Sequence, residues 1–111
     1  MIRWLALLLL ATLPARAAEL AMFDRADCPV CIRWNKEVGP IYPKTPEARR
    51  APFHRVALGT DPGFALAEPV HVTPTFVLVD NGKEIGRIVG YNNDESFWML
   101  MEMLMAKLPA K

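Results

Sequence analysis

The sequence predicts an α/β domain: a small mixed four-stranded sheet with helices on both faces. Three observations predict it. Strand and helix patterns alternate through most of the chain, the order that builds a layered sheet. Two β-rich runs flank Asp80-Asn81-Gly82-Lys83, whose Asn-Gly pair marks a tight hairpin. The only two cysteines, Cys28 and Cys31, stand one turn apart where a helix should begin.

The chain opens on a segment that reads as a secretory signal. Arg3 gives a positive start, Trp4 to Leu13 is apolar apart from Thr12, and Ala15-Arg16-Ala17 matches a small-x-small cleavage site. The expected division is therefore 1–17 signal peptide and 18–111 folded domain. The apolar run is about half of the roughly 20 residues a membrane helix needs. An uncleaved signal acting as an anchor is the alternative. Export would place the domain in the periplasm.

From Glu19 to Phe23 a short apolar run reads as a buried strand. Asp24 to Asp27 is a polar turn. A helix should begin at Cys28, because Pro29 suits the first helical position, where a missing N–H costs nothing. Cys31, Trp34, Val38 and Ile41 then recur at helical spacing, and Gly39-Pro40 should end the helix. Three prolines break up Tyr42 to Pro52, with one helical turn expected at Glu47–Arg50. Phe53 to Leu58 alternates as a second strand. Gly59 to Gly63 is a loop, and Phe64 to Glu68 fits a short helix before Pro69. Thr75 to Val79 is a β-branched and aromatic strand, and Glu84 to Gly90 returns beside it. A last helix follows, capped by Asn92 or Asn93, with Asn92 and Glu95 matching a capping box. Its apolar stripe is Phe97, Leu100, Met101, Leu104, Met105 and Leu108. The first two strands, joined through a helix, should be parallel, and the last two antiparallel.

The whole chain of 111 residues is one domain at most. It holds 13 basic and 12 acidic residues; losing Arg3 and Arg16 with the signal leaves 11 against 12. No basic stripe remains, so nucleic acid is not an expected partner. The sequence has no repeats and no low-complexity segment.

Two cysteines in an exported protein are either a staple or a working redox couple. A staple is disfavoured by magnitude. Closing a loop of about four residues removes only roughly 2 kcal/mol of entropy from the unfolded chain. Zinc is disfavoured by count, since a second Cys or His pair at ligand spacing is missing, and His54 and His71 are far apart in sequence. No metal or other cofactor is expected. A redox couple fits the position. A helix N-terminus offers free N–H groups and a positive dipole end, and both favour a thiolate, the form that attacks disulfides. Cys28 would attack a partner disulfide and Cys31, expected to be less exposed, would resolve the mixed disulfide.

Taken together, Cys28-Pro29-Val30-Cys31, Thr73-Pro74 before a strand, the Asn81-Gly82 hairpin and the final amphipathic helix resemble the thioredoxin superfamily. The resemblance spans essentially the whole mature chain and implies a thioredoxin-like fold. The leading strand and helix of full-length thioredoxins are not expected here, which leaves a glutaredoxin-sized core. The resemblance also implies that Thr73-Pro74 is a cis-proline loop facing the cysteines. Pro29, Val30, Thr73 and Pro74 would then contact substrate, with the Thr73 backbone pairing an extended segment of it. A narrower resemblance joins Phe23 to Cys31, Arg33-Trp34, Ile41 to Thr45 and Arg49 to Pro52. These look like the small periplasmic thioredoxins of bacterial sulfur-oxidation (Sox) systems. That likeness implies a reductant that keeps a sulfur-carrier protein's thiol active.

Departures from the family pattern bear on mechanism. Asp27 stands where cytosolic thioredoxins have Trp, and Pro29-Val30 where they have Gly-Pro. Met22 stands where they bury an acid, leaving Asp24, Asp27, water or another group to take the Cys31 proton. Pro29-Val30 adds no charge, and a nearby Asp27 opposes the thiolate. Cys28 should therefore be a moderate nucleophile in a protein-disulfide reductase; a disulfide-forming oxidant and a non-catalytic module with a structural disulfide are the alternatives. The expected partners are a disulfide-containing protein substrate and a membrane thiol donor, because soluble reductants are scarce outside the cytosol. A monomer is expected. His71, near Thr73, reads as a solvated loop residue, Trp34 as core, and Met99, Met101, Met103 and Met105 as packing, since alternate spacing scatters them around a helix.

Overall fold

The strands appear where β-branched and aromatic residues concentrate. In the computed structural model, which describes residues 17–110, they are β1 (Glu19–Asp24), β2 (Phe53–Ala57), β3 (Thr75–Asp80) and β4 (Lys83–Val89). The helices are α1 (Pro29–Glu37), α2 (Pro46–Arg50) and α3 (Asp94–Met105), with a 3-10 turn at Tyr42–Lys44. Strand order is β2-β1-β3-β4. β1 and β2 are parallel, while β3 runs antiparallel to both β1 and β4. The mixed four-stranded sheet is as the sequence predicts. The expected signal peptide falls, apart from Ala17, outside the described residues.

Alternation along the strands builds two apolar layers. Leu20, Met22, Phe76, Leu78 and Ile88 face α1 and α3, which contribute Trp34, Val38, Phe97, Met101 and Leu104. Trp34 is fully buried at the centre of this layer. It stacks on Phe53 at 5.2 Å and meets Phe76 and Phe97 at 5.2 and 5.8 Å. Met99 and Met103 point to solvent while Met101 and Met105 are buried, as the alternate spacing requires. Leu100, read as part of the buried stripe, is instead 41% exposed.

The other face carries Ala21, Phe23, Val56, Val77 and Val79. Its cover corrects one expectation. Phe64–Glu68 is not a helix but an irregular strap that lays Phe64, Leu66 and Val70 on the sheet. Contacts distant in sequence hold its backbone extended. Ala65 N–H donates to the Gly82 carbonyl and the Ala65 carbonyl accepts from Glu84 N–H, both at 2.9 Å. Glu84 Oε1 accepts from Ala67 N–H at 2.8 Å, and Arg87 donates to the carbonyls of Glu68 and Pro69. An α-helix here would have to give up these bonds. Helix cover thus lies on one face of the sheet and strap cover on the other.

The element ends follow local chemistry. Asn81 and Gly82 both adopt positive φ (54° and 80°), the two-residue turn that matches the twist of a hairpin. The capping residue of α3 is Asn93, whose side chain accepts from Ser96 N–H at 2.8 Å, so the Asn92–Glu95 capping box is not formed. Thr45 caps α2 in the same way, through Ala48 N–H.

Candidate active site

Sheet register brings the two site loops together. Phe23 near the end of β1 lies opposite Thr75 at the start of β3. The chain leaving β1 toward Cys28 therefore emerges beside the chain entering β3 from Thr73-Pro74. The Thr73–Pro74 peptide bond is cis. Gly90, just past β4, donates to the Pro74 carbonyl at 2.7 Å and ties the end of β4 to this edge.

Cys28 caps α1. Its backbone is extended (φ −104°, ψ 101°), and its Sγ accepts from Cys31 N–H at 3.1 Å. The sulfur occupies the position a Ser or Thr oxygen takes at other helix starts. Cys28 and Cys31 are joined as a disulfide, with Cα atoms 5.2 Å apart. On its other side, Cys28 Sγ lies 3.5 Å from the Thr73 carbonyl oxygen. Cys28, Cys31, Thr73 and Pro74 are thus gathered in one place, all buried, while Pro29 is exposed and Val30 half-buried at the rim. The expected difference in exposure between the cysteines is corrected: each is 2% exposed in the disulfide form. The Thr73 carbonyl, 3.5 Å from Cys28 Sγ, lies against the first cysteine.

The charges around the pair are largely satisfied within the chain. Asp27 accepts from Arg25 Nε at 2.9 Å, and Arg25 also donates through Nη1 to the Thr73 hydroxyl. Asp27 therefore does not face Cys28 as an unpaired anion, which moderates the opposition read from sequence. Asp24 accepts from Arg55 Nη1 at 2.9 Å. Neither carboxylate is hydrogen-bonded to Cys31, and Met22, fully buried, supplies no acid beneath it. Arg33, one turn after Pro29, lies 4.8 Å over the Tyr91 ring and donates to the carbonyls of Tyr91 and Asn92. Tyr91 hydroxyl donates to Glu37 at 2.6 Å; burial first, then that bond, pushes its phenol well above the ordinary range. Tyr42, whose hydroxyl donates to the Ala51 carbonyl at 2.7 Å, is pushed up by burial and then by Glu47. Both phenols stay protonated at neutral pH and act as fixed hydrogen-bond posts.

Trp34 packs in the same core cluster as the two cysteines, and the two histidines left aside on sequence grounds have other settings. His71 is exposed, and His54 is 3.7 Å from Glu19 in a pairing unrelated to the cysteines. Trp34 is core, as expected. Sequence reading missed Arg25. Its partner Thr73 lies 48 residues away, and no spacing rule links them.

Comparisons with known proteins agree with this geometry. A family model for the thioredoxin-like domain matches residues 15–104. Among solved structures, the chain is similar to the periplasmic thioredoxin SoxS from Paracoccus pantotrophus in its reduced form. Identity is 40%, the match covers 81% of this chain and 97% of that one, and the TM-score is 0.77. Two more distant thioredoxins share the fold. That of Malassezia sympodialis (Mala s 13) is 20% identical over 81% of this chain and 76% of its own, with TM-score 0.56. That of Fasciola hepatica is 21% identical over 83% and 82%, with TM-score 0.57. A search of the curated proteins returned no match. A Cys-x-x-Cys pair capping α1, a Thr73-Pro74 loop against its first sulfur and a family match over most of the chain lead to one conclusion: this chain belongs to the thioredoxin-like domain family.

Proposed function

We propose that this protein is a periplasmic reductase of protein disulfides that works through Cys28 and Cys31, exported by cleavage of residues 1–17. The fold and the Cys-x-x-Cys pair support thiol–disulfide exchange. The observation that carries the reading is the placement of Cys28 Sγ between the α1 N-terminus and the Thr73 carbonyl. In the reduced protein, the Cys31 N–H and the helix dipole stabilise a thiolate on Cys28. The thiolate attacks one sulfur of a partner disulfide, forms a mixed disulfide and expels the partner's other sulfur as thiolate. Cys31 then passes its proton to the expelled partner thiolate or to water and attacks Cys28 Sγ. The partner leaves with both sulfurs reduced, and the Cys28–Cys31 disulfide forms. Two electrons move from the pair to the partner. A membrane thiol donor returns the pair to its reduced state.

Pro29 and Val30 at the rim, with Thr73 and Pro74, form the substrate contact. Burial of both sulfurs means that a partner strand laid along Thr73 must open the contact between Cys28 and the Thr73 carbonyl. The reducing direction is supported by the neutrality of the surroundings, because Asp27 and Arg25 offset one another and Pro29-Val30 brings no charge. The likeness to a periplasmic thioredoxin supports the compartment. The partner proposed is a sulfur-carrier protein whose thiol is kept active, as the resemblance of the sequence to Sox-type thioredoxins implies. The protein acts as a monomer.

Trapping tests this reading. Cys31→Ser leaves Cys28 able to attack but unable to be resolved. Exposed to exported proteins, it should accumulate a mixed disulfide through Cys28 that dithiothreitol releases. No adduct, together with no exchange with small disulfides by the native protein, would leave the pair a structural crosslink.

A further inference from the structure

Arg25 lies three residues before Cys28, on the turn between β1 and α1. Its guanidinium makes two directed contacts. Nε donates to Asp27 Oδ1 at 2.9 Å, and Nη1 donates to Thr73 Oγ1. Thr73 also supplies the carbonyl that lies 3.5 Å from Cys28 Sγ. One threonine thus holds the cation on its hydroxyl and faces the sulfur with its carbonyl. That arrangement keeps guanidinium and sulfur within about one Debye length of each other.

We infer that Arg25 is a positioning residue of the exchange site: it offsets the Asp27 carboxylate beside Cys28 and pins the Thr73 segment that faces the sulfur. The two effects have separate physical causes. Asp27 adjoins Cys28 in sequence, and an uncompensated anion there disfavours a second negative charge on sulfur. Arg25 removes most of that opposition. Its side chain and that of Asp27 are 47% and 84% exposed, so the electrostatic effect is modest and screened by salt. The second effect is geometric. Thr73 is 9% exposed, and its hydroxyl accepts from a residue on the cysteine loop. This bond links the two loops that a partner strand must contact together. A lysine has no planar fork and cannot hold Asp27 and Thr73 in the same way.

Substitutions separate the effects. Arg25→Met removes cation and tether. Asp27→Asn removes the opposing anion and keeps the tether. The double variant removes both charges and the tether, and Thr73→Val removes the tether while leaving the charges. Two readouts follow: the rate at which iodoacetamide alkylates the reduced pair across pH at low salt, and the redox equilibrium with glutathione. At pH below the thiolate midpoint, Arg25→Met should be alkylated about threefold more slowly, and 1 M salt should remove most of the difference. A less stabilised thiolate favours the disulfide form. The glutathione equilibrium should therefore move by up to about threefold toward the oxidised protein, about 14 mV more reducing. Asp27→Asn should move both readouts the opposite way, and the double variant should return to nearly native values. Arg25→Lys should restore the alkylation rate. With insulin as disulfide substrate, the double variant and Thr73→Val should both show a raised KM, because each lacks the tether.

A thermal melt confirms that each variant is folded. An Arg25→Met profile and potential that coincide with the native ones overturn the inference. If Arg25→Met is unfolded at assay temperature, an Asp27→Asn profile identical to the native one overturns it as well. The substrate arm rests on the exchange function proposed above, whereas the alkylation arm does not. A protein inert toward insulin but showing the Arg25 effect on alkylation would contradict the function and uphold the inference.

Discussion

Glu84 is the residue on which the strap over the second face depends, and its removal has a calculable cost. Its side chain is 4% exposed and meets Arg87, 14% exposed, at 2.6 Å. It also accepts from Ala67 N–H at 2.8 Å. Hydrogen bonds to charged groups contribute about 1.5–3 kcal/mol, and stripping one partner from a fully buried ion pair costs about 3–5 kcal/mol. Arg87 keeps the Glu68 and Pro69 carbonyls at its exposed end, which lowers the figure. Glu84→Ala should therefore cost about 2–3 kcal/mol, a fall in Tm on the order of 10 °C for a domain this size. Glu84→Gln keeps an acceptor for Ala67 and should cost about half as much. The pH dependence has a definite sign. The hydrogen bond from Arg87, chiefly, holds the Glu84 carboxyl below its ordinary value despite burial. Its contribution is then fully present above the unfolded value, about 4.3, and is lost as pH falls through the lower folded value. The gap between native protein and Glu84→Gln should be flat from about pH 5 upward and narrow in acid. Urea unfolding followed by tryptophan fluorescence measures this, and amide exchange over Phe64–Pro69 locates the change. A loss for Glu84→Ala within the ordinary surface range of about 0.5 kcal/mol, or a gap that does not narrow in acid, refutes the argument.

Three further substitutions probe the scaffold that presents the pair. Asn93→Ala removes the α3 cap and should cost about 1 kcal/mol in chemical denaturation, with Asn93→Ser close to native. Gly86→Ala would place a methyl 2.5 Å from Leu104 Cδ1, and Leu104 is buried, so overpacking should cost about 1–3 kcal/mol on the same scale. Met22→Asp buries a carboxylate in a fully enclosed site, with Arg55 Nη1 3.5 Å from the present sulfur as its available counter-charge. It should destabilise by about 2–4 kcal/mol at pH 7 and by less in acid, where the carboxyl is neutral.

What sequence reveals and what it conceals divide along the range of the interactions. The hairpin was legible because Asn81 and Gly82 are the residues a positive-φ turn requires, and α3 because its stripe repeats at helical spacing. The helix start at the cysteines was legible from Pro29. The site pairing of Cys28 with Thr73-Pro74 came only from family resemblance, since nothing local joins residues 45 apart. Phe64–Glu68 was misread for the same reason. Ala65, Leu66, Ala67 and Glu68 are good helix formers, and the side chains that hold them extended come from β4. Nothing in the sequence marks Arg25 or its offset of Asp27, because its bonds to Asp27 and Thr73 depend on how two loops meet at one sheet edge. Equal burial of the cysteines follows from that same meeting.

The central claim is that Cys28 and Cys31 give electrons to protein disulfides, and the reduction potential of the pair tests it most directly. Equilibration with glutathione or with a thioredoxin of known potential yields the value. The surroundings described here, a helix N-terminus and the Cys31 N–H offset by no net local charge, predict a potential nearer that of thioredoxin, about −270 mV, than that of the strong periplasmic oxidant, about −120 mV. A value near −120 mV would mean a far more stabilised thiolate than this site provides, and would make the protein an oxidant.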